Sequence, residues 1–311
     1  MLPVLESGEE TLIGGQAVME GVMMRAPHSY CVAVRKPNGE LVTEEQPIHR
    51  MSEKYPIFKL PILRGLGTLG QAMGLGAKAL KFSANAALDE GTGDGKPVEI
   101  SSWMMSVNVI FTLGFFLFMY KFVPLFLATR IGKAVPDLSS RFATNIVDGL
   151  IRMAIFLAFL FLLSRLKDIR RVFEYHGAEH KVVFNYESGQ PVTVDNAQQF
   201  TTFHPRCGTN FLFVVMAMAM IMYALLPIDA FLPKLLARIA LLPLIAGLSY
   251  ELIRFAARRQ GTLMGLLSKP GLWLQRITTK PPDDSQAAVA IHALNGAMEL
   301  EAKQGGQLVI A

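Results

Sequence analysis

Cysteine and charge are both scarce in this chain of 311 residues. The only two cysteines, Cys31 and Cys207, cannot form a disulfide framework, so the class of small disulfide-rich secreted proteins is excluded. Charged residues make up 18% of the chain, whereas soluble domains contain about a quarter. With a mean hydropathy of +0.35, the chain is too apolar for a disordered protein or a purely soluble enzyme.

Long uncharged segments account for this hydropathy. Residues 100–120 form a run of 21 residues without a charge, and residues 207–228 form a run of 22. Apolar runs of this length are typical of transmembrane helices. The sequence therefore predicts a mainly α-helical membrane protein with about four transmembrane helices, at residues 103–127, 142–164, 211–228 and 235–257.

Basic residues near the span ends predict how the chain crosses the bilayer, because they favour the cytoplasmic side. The first ten residues are acidic and contain no signal peptide. Both termini and the segment between the second and third spans are therefore expected in the cytoplasm, as in a multi-pass protein of the cytoplasmic membrane. The lipid bilayer is then a partner, and the net charge of +5 requires no nucleic acid. The basic residues after the second span are Arg165, Lys167, Arg170 and Arg171, and those after the fourth include Arg258, Arg259, Lys269 and Arg276.

Segments on both sides of the spans show their own patterns. Asn38 and Gly39 form a hairpin-turn dipeptide between two β-prone runs. Residues 57–82 are apolar and rich in glycine, but their uncharged run is too short to cross, so they predict an amphipathic element at the membrane surface. Residues 89–96 form a polar linker.

Near the C-terminus, Asp283 caps a predicted helix that ends at about Glu301 and is expected to pack on the protein's own domain.

The segment between the second and third spans contains the residues with the clearest chemistry. His176, Glu179 and His180 form an H-x-x-E-H motif. On a helix, positions i and i+4 lie on one face, so the two imidazoles can bind one metal ion. This is the inverted zincin arrangement, in which the glutamate acts as general base. The alternative without a functional role is a solvated helix with two histidines at its surface.

Two further metal-ligating side chains follow in the same segment, at His204 and Cys207. A hairpin formed by residues 181–186 and 191–194 is expected to bring them back to the motif. If His176, His180 and either His204 or a carboxylate bind the ion and one position stays open for water, the site is catalytic, with Glu179 as the base. If all four side chains close a His₃Cys shell around zinc, the site is structural. A third alternative makes Cys207 a nucleophile paired with His204 or His180.

Four motifs together resemble the YqhQ-like family of bacterial membrane proteins. They are residues 14–25 (GGQAVMEGVMMR), 175–180 (YHGAEH), 203–209 (FHPRCGT) and 249–254 (SYELIR), with residues 274–279 (LQRITT) as a further match. The resemblance implies a membrane protein described as a predicted metal-dependent enzyme.

Four charged residues in or near these motifs are accessory candidates. Glu20 and Arg25 lie among apolar residues, where they can pair with each other or face the metal site. Glu251 is a candidate ligand, although an ion pair with Arg254 explains it better. Arg206 lies between His204 and Cys207.

The sequence thus predicts a membrane-bound metal-dependent hydrolase, in the first place a peptidase, at the cytoplasmic face. We expect it to use a divalent metal, preferably zinc, and to act on a protein substrate or partner at the cytoplasmic face. The alternative is a non-enzymatic membrane adaptor or assembly factor with a structural zinc site. The predicted segments are the N-terminal region (1–56), an interfacial segment and linker (57–99), the first two spans (100–164), the His/Cys segment (165–210), the last two spans (211–257) and a C-terminal tail with a helix (258–311).

Overall fold

The computed structural model describes residues 13–49, 51–88, 102–205, 207–258 and 262–303. The predicted linker at residues 89–96 and the candidate Arg206 lie outside these residues. In the described part, the chain is mainly helical with one four-stranded antiparallel sheet. This confirms a mainly α-helical fold with a small amount of β structure.

The sheet is a meander of four strands in the order β1-β2-β3-β4. Its third and fourth strands are the predicted hairpin, whose turn contains Gly39 at φ 86°. The first two strands were not predicted, because glycines interrupt the alternation that marks a strand. The bounds are β1 (Gly14–Val18), β2 (Gly21–Arg25), β3 (Ser29–Arg35) and β4 (Leu41–Pro47).

Helices cover both faces of this sheet. After α1 (Met51–Lys54) and a 3₁₀ turn (Pro56–Lys59), the glycine-rich segment forms α2 (Leu63–Leu88). The apolar side chains of α2 pack on one sheet face, which includes Val18, Met23, Tyr30, Val32 and Val34. The opposite face, which includes Val22, Met24, Cys31 and Ala33, packs on α6 (Lys167–Glu187) and α12 (Asp284–Lys303).

Among the residues that the structure describes, two helices are long and apolar enough to cross a membrane. The first, Val107–Ala134, consists of the part of α3 (Ser102–Leu117) from Val107 onward, a π-helical turn (Phe118–Phe122) and α4 (Val123–Ala134). The second is α5 (Arg141–Leu163). Helices α9 (Phe231–Ala240) and α10 (Leu242–Arg258) meet at an angle of 46°. If this bent pair forms one span, it is a third candidate for crossing the membrane. The predicted third span coincides with α8 (Gly208–Ala224), which is apolar but shorter.

The hairpin predicted at residues 181–194 is wrong. Residues 181–186 continue α6, because Val182 and Val183 lie at helical spacing from Tyr175 and Ala178 and share their buried face. A turn with Gly189 at φ 71° then leads to the short helix α7 (Val194–Gln198). The apolar run that resembled a strand is therefore the core face of a helix.

The C-terminal segments pack back on the rest of the chain. The predicted helix from Asp283 to about Glu301 is confirmed as α12, and its Glu301 accepts hydrogen bonds from the Ser29 hydroxyl at 2.8 Å and the His28 amide at 2.9 Å. Helix α11 (Thr262–Thr278) precedes it and packs on α8. The expected docking of α12 on the protein's own domain is therefore confirmed.

A buried cluster of charged side chains and Tyr223 joins four of the apolar segments, namely the π-helical turn, α5, α8 and α9. Asp148 of α5 accepts hydrogen bonds from Arg152 at 2.5 Å and from Arg238 of α9 at 2.8 Å. Lys121 of the π-helical turn donates to the hydroxyl of Tyr223 at 2.8 Å, and the guanidinium of Arg238 lies over the Tyr223 ring. Asp148 thus compensates two buried guanidinium groups.

We predict that Asp148→Asn destabilises the protein by about 3–5 kcal/mol, because it leaves two buried guanidinium groups without a carboxylate. The melting temperature of the protein in detergent micelles measures this loss. Asp229→Asn is the matched control, since the Arg141–Asp229 pair is exposed and should add little stability. Equal melting temperatures for the two variants would contradict the role of Asp148.

Candidate metal centre

Helix α6 presents the H-x-x-E-H side chains to a single site. His176 and His180 lie one turn apart, and their ring centroids are separated by 4.4 Å. The helix is held in place from its other side, where its apolar residues pack on β1, β2 and α12. The predicted common face for the two imidazoles is therefore present.

Backbone carbonyls fix both imidazoles in the form that can bind a metal. His176 Nδ1 lies 2.9 Å from the carbonyl oxygen of Thr278, and His180 Nδ1 lies 2.5 Å from that of Thr202. A carbonyl only accepts, so each Nδ1 carries the proton and donates it. In the neutral ring, each Nε2 then keeps the lone pair with which a histidine binds a metal.

Gly177 permits one of these contacts. A Cβ at Gly177 would lie 2.0 Å from the carbonyl oxygen of Lys280. The amide of Lys280 donates to the carbonyl of Phe173 at 2.9 Å, so the chain after α11 lies directly on α6. A glycine that weakens the helix locally therefore allows Thr278 to reach His176.

Cys207 completes a group of three ligand atoms. Its Sγ lies 3.3 Å from His176 Nε2, and the ligand atoms of His176, His180 and Cys207 all lie within 4.8 Å of one another. Burial alone would raise the pKa of the Cys207 thiol, but attraction and hydrogen bonds from both histidines hold that pKa well below its usual range. The thiolate is the form that binds a metal or acts as a nucleophile.

His204 lies beside this group but outside it. Its Nε2 is 3.5 Å from Glu187 Oε2, and its ring packs on Phe184 at a centroid distance of 4.4 Å. The side chain of Gln275 in α11 holds the backbone of His204 through two bonds of 2.8 Å. The structure thus brings three of the four predicted ligands together and directs the fourth to Glu187.

Glu179 is a buried carboxylate without a hydrogen-bond partner among the described residues. The residue is 7% exposed, and its side chain lies against β1, where a Cβ at Gly15 would be 2.6 Å from it. Its charge contributes to the raised pKa of His176. Burying a carboxylate that accepts no hydrogen bond is costly unless a cation or a bound polar group compensates it. Its position between His176 and His180 in the sequence puts it on the wall of the same cavity.

A cavity of about 620 Å³ opens over these residues. Its volume is in the range of small-ligand sites. Strand β1, helices α2 and α6 and the first turn of α8 form its walls, which are mostly apolar. The polar side chains of the centre that line it are His176, Glu179, His180, His204 and Cys207.

The accessory candidates have other partners or lie outside the described residues. Glu20 binds Arg171 through two bonds of 2.5 Å and does not pair with Arg25, which is buried in β2. Glu251 accepts hydrogen bonds from the Arg64 side chain and from the amide of Ile62, and so anchors the start of α2 to α10. The expected pairing of Glu251 with Arg254 is replaced by this contact.

The donor set fits a divalent transition metal. Two imidazole nitrogens and a thiolate are ligands that zinc prefers, and three protein ligands leave one position for water or substrate. The carbonyl contacts of both Nδ1 atoms supply the outer support that such sites have. The same three side chains also fit a cysteine nucleophile paired with His176, whose pKa is lowered by burial but raised more by Cys207, to about 9.

Several residues of the centre were not predicted. Thr202 and Thr278 act through their backbone carbonyls, Gln275 acts through an amide, and Gly15 and Gly177 act through the absence of a side chain. None of these carries a metal-ligand signature. The signal that was available for four of them is their place in the family motifs, because Gly15 lies in residues 14–25, Gly177 in residues 175–180, and Gln275 and Thr278 in residues 274–279.

The chain belongs to the family described as protein of unknown function (DUF1385), whose model matches residues 60–300. It is 36% identical over 300 residues to a protein of Bacillus subtilis (strain 168) described as uncharacterized protein YqhQ, and the match covers 93% of each chain. No solved structure matches the chain. The resemblance to a YqhQ-like family is confirmed, whereas neither description names a metal or a reaction.

We predict that bound zinc shields Cys207 from alkylation. Its thiol lines the cavity, so iodoacetamide should modify it rapidly after treatment with a chelator and slowly after zinc is restored. Cys31 is the internal control, because it is fully buried and burial raises its pKa to about 12. Mass spectrometry gives the alkylation rates of both cysteines. If the rate at Cys207 is the same with and without zinc, Cys207 is not a zinc ligand.

Proposed function

We propose that this protein is a membrane-bound metal-dependent hydrolase that cleaves amide bonds of the peptide type at the cytoplasmic face. One observation carries the proposal. Glu179, a buried residue whose carboxylate accepts no hydrogen bond from the described residues, shares an open cavity with three metal-ligand atoms. A base, a candidate metal position and space for a substrate thus occur together.

In this proposal, His176, His180 and Cys207 would hold a zinc ion, whose chemistry would be to polarise water and the substrate carbonyl. Glu179 takes a proton from a water molecule, whose oxygen forms a bond to the carbonyl carbon. The C–N bond then breaks, and Glu179 gives the proton to the leaving nitrogen. One amide and one water yield a carboxylic acid and an amine.

A structural zinc site in a non-enzymatic adaptor is the second candidate, and the placement of His204 weighs against it. A closed shell requires a fourth protein ligand, which the sequence offered as His204. The His204 imidazole instead faces Glu187 and Phe184. The mouth of the cavity also gives a substrate access to the three ligand atoms.

We also propose four spans, with both termini and the metal centre in the cytoplasm. Val107–Ala134, α5, α8 and the bent pair α9–α10 would cross in turn. The short α8 is entirely uncharged, which supports its insertion. The centre lies between the end of α5 and the start of α8, next to the basic cluster at residues 165–171, and this cluster supports the cytoplasmic side.

A panel of three variants separates a catalytic site from a structural one. Glu179→Gln should keep its metal and its melting temperature but lose activity, because an amide cannot accept a proton from water. His176→Ala and Cys207→Ser should lose metal as well as activity. Metal content, melting temperature and peptide turnover in a deletion strain complemented with each variant are the measurements.

Peptide turnover is measured by comparing cellular peptides and protein N-termini between the deletion strain and each complemented strain. Wild type should restore a set of cleavage products that Glu179→Gln does not restore. Full restoration by a metal-loaded Glu179→Gln protein would exclude the hydrolase and leave the structural site.

The topology is tested by introducing single cysteines. Ser188→Cys, in the exposed turn after α6, should resist an impermeant thiol reagent in intact cells and react after lysis. Ser139→Cys, in the exposed turn between α4 and α5, should react in intact cells and is the matched control. The reverse pattern would place the metal centre outside the cell.

A further inference from the structure

The outer edge of β1 is free in the part of the chain that the structure describes. Strand β1 is at the end of the strand order and pairs only with β2. Residues 13–17, which include all but the last residue of β1, line the cavity beside the metal centre. An unpaired strand edge presents amide and carbonyl groups that need partners.

The alternation of the β1–β2 ladder shows which groups face this edge. The turn between the strands contains two residues, so the paired Val18 and Gly21 that close it exchange hydrogen bonds. Hydrogen-bonded pairs alternate along an antiparallel ladder, so Gln16 also faces β2. The backbone groups of Gly15 and Ala17 therefore face the cavity.

Apolar side chains line the cavity on both sides of this edge. Leu69, Met73 and Leu80 of α2 form one wall, and Phe173 of α6 with Phe211 and Leu212 of α8 line the part of the cavity that also contains the metal centre. Successive side chains of a strand point to opposite sides. A strand added to β1 would therefore place its side chains alternately against the apolar wall of α2 and against the wall that contains the metal centre.

We infer that the free edge of β1 binds an extended, apolar peptide segment as an added antiparallel or parallel strand. This is β-augmentation, in which backbone hydrogen bonds give affinity and side-chain pockets give specificity. That the bound segment is also the substrate rests on the proposed function. Glu179 contacts β1 at Gly15, so a segment on this edge passes beside the proposed base.

A lipid is the other apolar ligand to consider, and the chemistry of the walls favours a peptide. A hydrocarbon chain cannot satisfy the amide and carbonyl groups of Gly15 and Ala17. Among the described residues that line the cavity, no Lys or Arg is present to bind a headgroup phosphate, and Glu179 is the only acidic side chain. An uncharged peptide satisfies both the polar edge and the apolar walls.

The test measures binding without cleavage, on full-length Glu179→Gln protein in detergent. The probe is a fluorescent peptide with alternating leucine and alanine, and two further probes carry N-methyl groups on either all leucines or all alanines. In an added strand, every second amide faces β1 and donates a hydrogen bond to it, which an N-methyl group prevents. One of the two methylated probes should therefore lose binding, whereas the other should keep an affinity within about twofold of the unmethylated probe. Fluorescence anisotropy gives the three affinities.

Two substitutions in β1 provide the matched comparison. Ala17→Pro removes an outward amide at an edge position that tolerates proline, and should weaken the unmethylated probe by about two- to tenfold, the worth of one backbone hydrogen bond. Ala17→Ser keeps the amide and should bind as before. If Ala17→Pro does not fold, the methylated probes still decide.

Two results would overturn the inference. Equal affinities for both methylated probes would show that the backbone of the probe does not pair with β1. Displacement of the probe by a fatty acid, together with such equal affinities, would identify the cavity as a lipid site. If the probes behave as expected while Glu179→Gln restores all cleavage products, the peptide site stands and the proposed hydrolase fails.

Discussion

The close contact between α6 and the chain after α11 organises the metal centre. It exists because residue 177 has no side chain, which allows the carbonyl of Lys280 to lie where a Cβ would stand. This contact places the Thr278 carbonyl on His176 and so leaves the other ring nitrogen free for a metal. The tautomer of His176 thus depends on a backbone carbonyl that lies 102 residues away in the chain.

Local patterns predicted the parts of this protein that depend on local physics. The helical period places His176 and His180 on one face, and the Asn38-Gly39 turn closes the hairpin of β3 and β4. Both depend on residues within a few positions of one another. Cys207 was predicted to be a metal ligand because of its residue type and because it was expected on the same side of the membrane as the histidines. In the structure its sulfur lies next to His176.

Features that depend on tertiary contacts could not be predicted in this way. The run at residues 181–186 has the composition of a strand, but burial against the sheet keeps it in α6. Glu251 has Arg254 three positions away, yet it binds Arg64, because the start of α2 lies on α10. Gln275 and Thr278 support the histidines through groups that every chain contains, so their residue types carry no sign of this role.

Charge balance connects the centre with the ligand that its cavity suits. The Cys207 thiolate brings a negative charge into a mostly apolar cavity, and His176, whose pKa this thiolate raises, compensates that charge when it is protonated. A divalent ion would take over this role and its binding would release the proton of His176, because a histidine binds a metal only in its neutral form. The carboxyl group of Glu179 lies on the same cavity wall, so a cation held by the three ligand atoms would also offset the cost of burying that group. An uncharged peptide on the β1 edge would then add no further charge to these walls, whereas an ionic ligand would.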